Sequence, residues 1–391
     1  MYLDFDYIII GCGLAGIVMA EQISRKLNKK VLIIEKRNHI GGNCYDYYDE
    51  NGILVHKYGP HIFHTNYKEV FDYLSNYTNW HIYQFQARTV IDGKMTNLPF
   101  NLNTMESLFD KGLYERLSAK LIQKYGYDSV VPILKLRNED DTELKWLADY
   151  IYEKVYLNYM KKQWEVKPEE LDASVSERVP IYVSRDNRYF KDKYQAMPKA
   201  GYTEMFKKML DNQNIKVMLN TNAFDLIKVD KENKNIKFLG KDFKGKVIYT
   251  GQIDELFDCV HGELPYRSLR FEFENHNKEY FQEAAMVSYP NNYDFTRITE
   301  TKHMTGQKAY TTTIIYEYPQ KFEKNVSGKD VPYYPIPNSD NRELYKEYKK
   351  HSEQYENLLL TGRLAEYLYF NMDQMIKSTL EKFNDLNKGE V

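Results

Sequence analysis

The sequence predicts an α/β protein built on a parallel sheet, and three observations predict it. The apolar run Tyr7-Ile8-Ile9-Ile10 near the start is followed, one helical stretch later, by a second run, Val31-Leu32-Ile33-Ile34. Continuous β-branched runs of this kind suit strands covered on both faces. Between them, Ile17 to Leu27 carries apolar residues at helical spacing. A third run, Leu358-Leu359-Leu360, precedes Gly362 and a helical stretch from about Asp373 to Phe383. Strand, glycine and helix thus recur at both ends, which predicts a discontinuous nucleotide-binding domain with other domains inserted in its middle.

Helices are expected over residues 66–77, 104–125 and 142–163, the last with apolar residues at Leu144, Leu147, Ile151, Val155 and Tyr159. The segment 164–187 mixes charge with two prolines and reads as a long loop of the kind that forms lids. A further helix is expected over Gly201 to Leu210. Short strands come next at Val217–Leu219, Ile236–Leu239 and Val247–Tyr249, then several strand-like runs within 268–318 and a charged helix over 341–356.

Composition narrows the function classes. The formal net charge is −2, so no global basic field draws nucleic acid or an anionic membrane, and any anion site must be local. The longest apolar stretch, Tyr7 to Ala20, is too short to span a bilayer and is broken by glycines. Asp4 and Asp6 stand where a secretory leader would be basic. Cys12, Cys44 and Cys259 are far apart and form no CxxC pair, so neither a disulfide framework nor a metal site is expected, and a cytoplasmic location fits. The 36 tyrosines offer flat apolar faces with a hydroxyl, suited to stacking on a base or sugar and touching phosphate.

The strongest chemical motif is Gly11-x-Gly13-x-x-Gly16, placed after the first strand and opening the first helix. Gly11 makes the tight turn, Gly13 lets the backbone approach a pyrophosphate, Gly16 lets helix and strand pack closely, and the helix N-terminus stabilises the negative charge. Glu35 ends the second strand, where a carboxylate accepts hydrogen bonds from ribose hydroxyls. The pair Gly41-Gly42 after Glu35-Lys36-Arg37, and Leu360-Thr361-Gly362-Arg363 near the end, resemble the pattern of FAD proteins of the glutathione-reductase and amine-oxidase kind. FAD is therefore favoured over NAD.

Further runs resemble the UDP-galactopyranose mutase family in its bacterial form, in order and over nearly the whole chain. They are Glu35 to Asn43, His56 to Thr65, Asn97 to Asn101, Lys162-Gln163-Trp164, Asp186 to Phe190, Tyr249 to Asp254, Tyr266 to Leu269, Tyr333-Tyr334-Pro335 and Gly362 to Tyr367. The resemblance implies an isomerase that interconverts UDP-galactopyranose and UDP-galactofuranose, feeding cell-surface polysaccharide, through a covalent adduct of the sugar with reduced FAD. It implies an external reductant such as NADPH, a nucleotide-sugar substrate and a homodimer. The expected fold is α/β: a Rossmann-like FAD-binding domain (1–75, 197–260 and 355–391) with an inserted helical domain (100–180, with the mobile loop 164–187) and an antiparallel-sheet substrate domain (76–99, 181–196 and 261–354).

By the same resemblance, Arg178 and Arg297 hold the diphosphate, as bidentate guanidinium donors can, and His64 joins them in the catalytic set. Tyr159 packs on uracil, Trp164 lies near the sugar, Tyr189 and Phe190 line the substrate site, and Tyr334 and Tyr369 hydrogen-bond the diphosphate. Glu317 resembles an acid near the sugar. The FAD set is Gly11, Gly13, Gly16, Glu35, Lys36, Gly42, Asn43, His61, Arg363 and Met372, with Arg363 placed to favour an anionic reduced flavin. Departures cluster around the nucleotide and sugar. Asn371, also expected to touch substrate, stands where Asp is usual, Asn158 and Met160 flank Tyr159 where Gly and Thr are usual, Val155 replaces a larger aromatic, and Thr361 replaces a glycine. Relatives acting on UDP-N-acetylgalactosamine or dTDP-fucose would look similar. An FAD oxidase of the amine-oxidase type and a non-catalytic flavin protein are the remaining alternatives.

Overall fold

The structure is a computed structural model that describes residues 4–164, 180–336 and 338–390. Its centre is a five-stranded sheet in the order Ile215–Met218, Val31–Ile34, Tyr7–Ile10, Lys246–Tyr249, Leu358–Leu360, with every neighbouring pair parallel. The alternation of side chains along a strand explains why the two runs nearest the start are apolar throughout. Tyr7, Ile9, Val31 and Ile33 face one core, under the helix Leu14–Lys26, whereas Ile8, Ile10, Leu32 and Ile34 face a second core built with Phe238, Phe257 and Tyr348. The terminal helix Met372–Glu390 packs on the helix Leu14–Lys26, so the last element of the chain covers the first helix.

A second sheet has seven strands, in the order Tyr334–Pro335, Tyr266–His276, Thr312–Lys321, Arg297–Glu300, Met286–Ser288, Ala87–Ile91, Lys94–Leu98. It is antiparallel except for one parallel pair, Met286–Ser288 beside Ala87–Ile91. That parallel pair arises because the hairpin Ala87–Leu98, which turns at Asp92 and Gly93, joins the sheet from a distant part of the chain. The strand Tyr194–Pro198 pairs instead with Phe63–Thr65 and Trp80–Ile82, in a small sheet of three strands.

Two expected helices are interrupted. The stretch 104–125 is two helices, Leu102–Leu108 and Lys111–Tyr125, because Asp110 is extended and its carboxylate accepts from Leu113 N at 3.0 Å, capping a new start. The stretch 142–163 keeps its direction but contains a π-turn at Tyr152–Leu157, between Thr142–Ile151 and Asn158–Trp164. A π-turn takes up one residue more than an α-turn and rotates the facing of the residues C-terminal to it, Tyr159 among them. The helix expected from 201 runs Tyr202–Leu210. Its start is tied to the strand Asp46–Tyr48: Asp46 accepts from Tyr202 N (2.6 Å) and Thr203 N (2.7 Å), while the Thr203 hydroxyl donates to Asp46 O (2.7 Å).

Asp46 is buried, so its loss strands two amide donors. Asp46→Ala is expected to lower the unfolding free energy by about 2 kcal/mol, and Asp46→Asn by less. Equal denaturation midpoints for wild type and Asp46→Ala would remove this cap from the account.

Candidate functional site

The carboxyl ends of the central strands open into one cleft, at the place where the chain leaves adjacent strands in opposite directions. The geometry there leaves no room for side chains. Gly11 has φ +101, and a Cβ on it would lie 2.2 Å from Thr250 Oγ1. A Cβ on Gly16 would lie 2.1 Å from Gly11 O, which lets the first helix sit down on the first strand. Gly42 has φ +56, and a Cβ on it would lie 2.8 Å from Gly13 Cα. Gly13 is the N-cap of the helix Leu14–Lys26 and caps it with no side chain, so the first amides of the helix face the cleft.

Glu35 is buried at the cleft wall. Its Oε2 accepts from Cys12 N (2.8 Å) and its Oε1 from Arg37 N (2.9 Å), which orients the carboxylate toward the cleft. Arg37 was not singled out from the sequence as a site residue. Its Nη2 donates to Asn43 Oδ1 at 2.9 Å, its guanidinium lies 4.5 Å over the Tyr58 ring, and its buried Nη1 has no partner among the described residues. The signal that could have found it is a basic residue two positions past the ribose acid. Thr250 and Tyr333 stand in runs that carry the resemblance but were given no site role; both line the cleft, where strand ends far apart in sequence meet.

The cleft is lined by Gly11, Gly13, Glu35, Lys36, Gly42, Asn43, His61, Arg363 and Met372 of the expected cofactor set, with Gly16 packed beneath. Asn371, expected on the substrate side, lines this same cleft beside Met372. Arg363 Nη2 donates to Phe370 O (2.6 Å) and Nη1 to Tyr333 O (3.3 Å), leaving the guanidinium beside the rings of Tyr334 and Tyr369 at 5.5 and 5.6 Å.

Those rings begin a second group. Tyr334 stacks on Tyr369 (5.2 Å between centroids), and Trp164 lies 6.0 and 5.8 Å from the two. Arg297 enters from the seven-stranded sheet and pairs with the buried Glu317 on the neighbouring strand: Nε and Nη2 both donate to Oε2, at 2.9 and 2.7 Å. Among the described residues, Arg297 Nη1 meets only Met286 Sδ, at 3.5 Å, and the buried Glu317 Oε1 has no hydrogen-bond partner. Burial works against the Arg297 charge, but Glu317, Tyr159 and Tyr334 outweigh it and hold the guanidinium above its ordinary range. Burial pushes the phenols of Tyr159 and Tyr334 up, so both remain hydroxyl donors at neutral pH. Tyr189 also acts on Tyr159 electrostatically, so Tyr159, Tyr189, Arg297, Glu317 and Tyr334 share one locality.

His61 connects the two groups. It lines the cleft, its Nδ1 sits 2.9 Å from Gly59 O, and Arg363 and Arg297 both act on it. A Cβ on Gly59 would lie 3.3 Å from Glu317 Oε2, so the 56–61 loop runs directly past the buried acid. His64 stands elsewhere. Its ring stacks on Phe190 at 3.6 Å, its Nδ1 lies 2.9 Å from Asp192 Oδ2, and it is not among the residues lining the cleft. Phe190 and Tyr189 pack on Phe85 and on each other. Asp192 had no sequence signal, since its partner is remote in the chain. Arg178 and most of the expected loop 164–187 lie outside the described residues. Among the described residues no cluster of His, Cys, Asp and Glu is arranged to hold a metal ion, and no helix is long and apolar enough to cross a membrane.

Two outcomes are expected. Gly13→Val should fold yet fail to retain a dinucleotide, measured as the absorbance released on denaturing purified protein; full retention would show that the cleft does not depend on this close approach. Burial pushes the imidazoles of His56 and His61 down, to about 4 and about 3, with His56 and the two arginines adding to the effect on His61. Unfolded histidine titrates near 6.5. Between these values the unfolded chain binds protons that the native one does not, so stability falls as pH drops below about 6.5. At pH 5 the loss should reach about 2 kcal/mol per histidine. His56→Gln should flatten the slope of urea-unfolding free energy between pH 5 and 7, and an unaltered slope would refute the assignment.

Comparison with known proteins agrees with this geometry. The family model described as UDP-galactopyranose mutase matches residues 154–369, and that of an NAD(P)-binding Rossmann-like domain matches residues 9–77. A UDP-galactopyranose mutase of Mycoplasma pneumoniae is 34% identical over 98% of this chain and 96% of its own length. A dTDP-fucopyranose mutase of Escherichia coli is 32% identical over 96% of each. The crystal structure of a reduced UDP-galactopyranose mutase shares the fold, with a TM-score of 0.74 at 15% identity over 98% of this chain and 94% of that one. On its own motifs, its α/β fold and these full-length relatives, the chain belongs to the UDP-galactopyranose mutase family.

Proposed function

We propose that this enzyme interconverts UDP-galactopyranose and UDP-galactofuranose, with reduced FAD in the dinucleotide cleft and the nucleotide sugar against Arg297. The observation that carries the reading is the half-buried guanidinium of Arg297, whose side chain is 19% exposed. It sits near the hydroxyls of Tyr159 and Tyr334, next to the cleft, and among the described residues its Nη1 is offered nothing better than a thioether sulfur. A half-buried cation with an underused donor suits a diphosphate, which accepts from guanidinium and phenol alike.

The residues present also fit FAD. The bare backbone between Gly13 and Gly42, the uncapped helix start and the unpartnered Arg37 Nη1 suit a pyrophosphate, and Glu35 suits a ribose. Bound and reduced, FAD supplies the nucleophile for the sugar's anomeric carbon. The chain's own residues do the rest. Arg297 holds the departing diphosphate, and Tyr334 and Tyr369 donate hydroxyls to it. Tyr159 and Trp164 present flat faces to base and sugar, and the aromatic wall through Tyr189 and Phe190 keeps water from the reacting carbon. Neutral His61 and the charged Arg363 set the field at the cleft, where a positive charge favours an anionic flavin. Glu317 keeps Arg297 aimed. In this reading Arg178 is a second phosphate contact, His64 orders the Phe190 wall, and Asn371 and Met372 border the cofactor. An external reductant such as NADPH, a homodimer and the three-part division of the chain belong to the same proposal.

A second reading, the same ring contraction on dTDP-fucopyranose, is favoured by the similarity to the Escherichia coli dTDP-fucopyranose mutase, which matches the mycoplasmal similarity in extent. Purified protein reduced with dithionite, offered UDP-galactofuranose and dTDP-fucofuranose in turn, separates the two by chromatography of the pyranose products. Turnover should require reduced flavin, and equal rates with oxidised flavin would sink the nucleophile mechanism. Arg297→Ala should lower kcat/KM by roughly 10²–10³-fold with the dinucleotide still bound.

A further inference from the structure

Lys162 belongs to the run Lys162-Gln163-Trp164, of which the chemistry above uses only Trp164. It lies on the helix Asn158–Trp164, between Tyr159 and Trp164, and is half-buried. Its Nζ donates to three carbonyls of a single loop: Tyr289 O at 2.7 Å, Tyr293 O at 3.1 Å and Phe295 O at 3.2 Å. That loop joins the strands Met286–Ser288 and Arg297–Glu300, and its far end is Thr296, next to Arg297. Carbonyl dipoles converging on one point repel each other unless a cation sits between them, so the loop's shape depends on the ammonium. Two more ties act in the same sense. Asn291 Nδ2 donates to Lys154 O at 2.6 Å, within the π-turn, and Asn158 Nδ2 donates to Asn291 Oδ1 at 2.7 Å. The end of the helix is held from the other side by the buried Arg267, whose Nε donates to Gln163 O at 2.8 Å and Nη2 to Lys162 O at 3.3 Å.

We propose that Lys162 is a positioning residue for substrate binding, an ammonium clamp that fixes the helix bearing Tyr159 and Trp164 to the loop that delivers Arg297. The inference rests on the proposed function for its kinetic consequence and on the geometry alone for its structural one. The clamp touches neither the dinucleotide cleft nor the Arg297–Glu317 pair directly, so its loss spreads the base-and-sugar face from the phosphate face and leaves cofactor binding intact. Arginine reaches the same carbonyls with its fork of donors, whereas methionine fills the same space with none.

The test uses the full-length holoprotein with Lys162→Met, Lys162→Arg and Asn291→Ala. With UDP-galactofuranose and dithionite, Lys162→Met and Asn291→Ala should raise KM by roughly tenfold or more, with kcat within about threefold of wild type and flavin content unchanged. Lys162→Arg should recover most of the KM. Amide hydrogen exchange of residues 289–296 should speed up in Lys162→Met and return toward wild type in Lys162→Arg. An unchanged KM in Lys162→Met, or a joint loss of kcat and flavin that arginine does not rescue, would overturn the proposal. Should the wild-type protein itself convert no nucleotide sugar, the proposed function fails, and hydrogen exchange still decides the clamp: faster exchange at 289–296 supports it and unaltered exchange refutes it.

Discussion

The structure depends on a meeting of bare backbone at the carboxyl end of the parallel sheet. Thr250 comes directly after one central strand and stands against Gly11 and Gly362, which come after two others, while Gly13 faces Gly42 across the first helix start. No Cβ fits at the tightest of these contacts. Gly11, Gly42 and Gly362, all at positive φ, therefore require glycine, and with Gly13 they leave a channel walled by amide groups. The elements that hold this meeting come from the start, middle and end of the chain. The enclosing sheet is parallel because each return crosses over through helices or inserted segments.

Around that channel the chain solves the problem of buried charge in two different ways. Arg267 is buried and satisfied by main-chain carbonyls, as is the buried Lys302, whose Nζ donates to Glu279 O, Ala309 O and Thr311 O at 2.6–2.9 Å. These are structural solutions: the cation is surrounded by acceptors already in place. Arg297 is different. Among the described residues, one carboxylate oxygen takes two of its donors, the other oxygen has no partner, and a third donor faces sulfur. Buried polar groups left short of partners cost stability, and such incompleteness beside a cleft supports the proposed diphosphate contact at Arg297.

The departures around Tyr159 acquire a physical reason in the fold. Asn158 replaces a small residue and is used at once, as a donor to Asn291. Met160 and Val155 are buried against the helical core. The π-turn at Tyr152–Leu157 sets which way Tyr159 faces, and its Lys154 carbonyl is taken up by the side chain of Asn291. Substitutions that look in sequence like changes to a binding pocket are thus partly changes to the frame that carries it.

The sequence by itself determined the parallel sheet, its dinucleotide motif and the family. Apolar runs of period-independent burial, glycines at fixed offsets and an acid after the second strand are local signals, and local signals survive in one dimension. The break at Asp110 was also local in cause, a capping side chain, though apolar spacing hid it. Only the tertiary structure decided the rest. The parallel pair in the second sheet, the partnership of His64 with Asp192, the placement of Asn371 at the cofactor cleft and the gathering of Arg297, Glu317, Tyr159 and Tyr334 all join residues far apart in the chain. Their proximity comes from how strands and helices pack, and packing energy is a property of shapes in contact, which a linear order of residues does not carry.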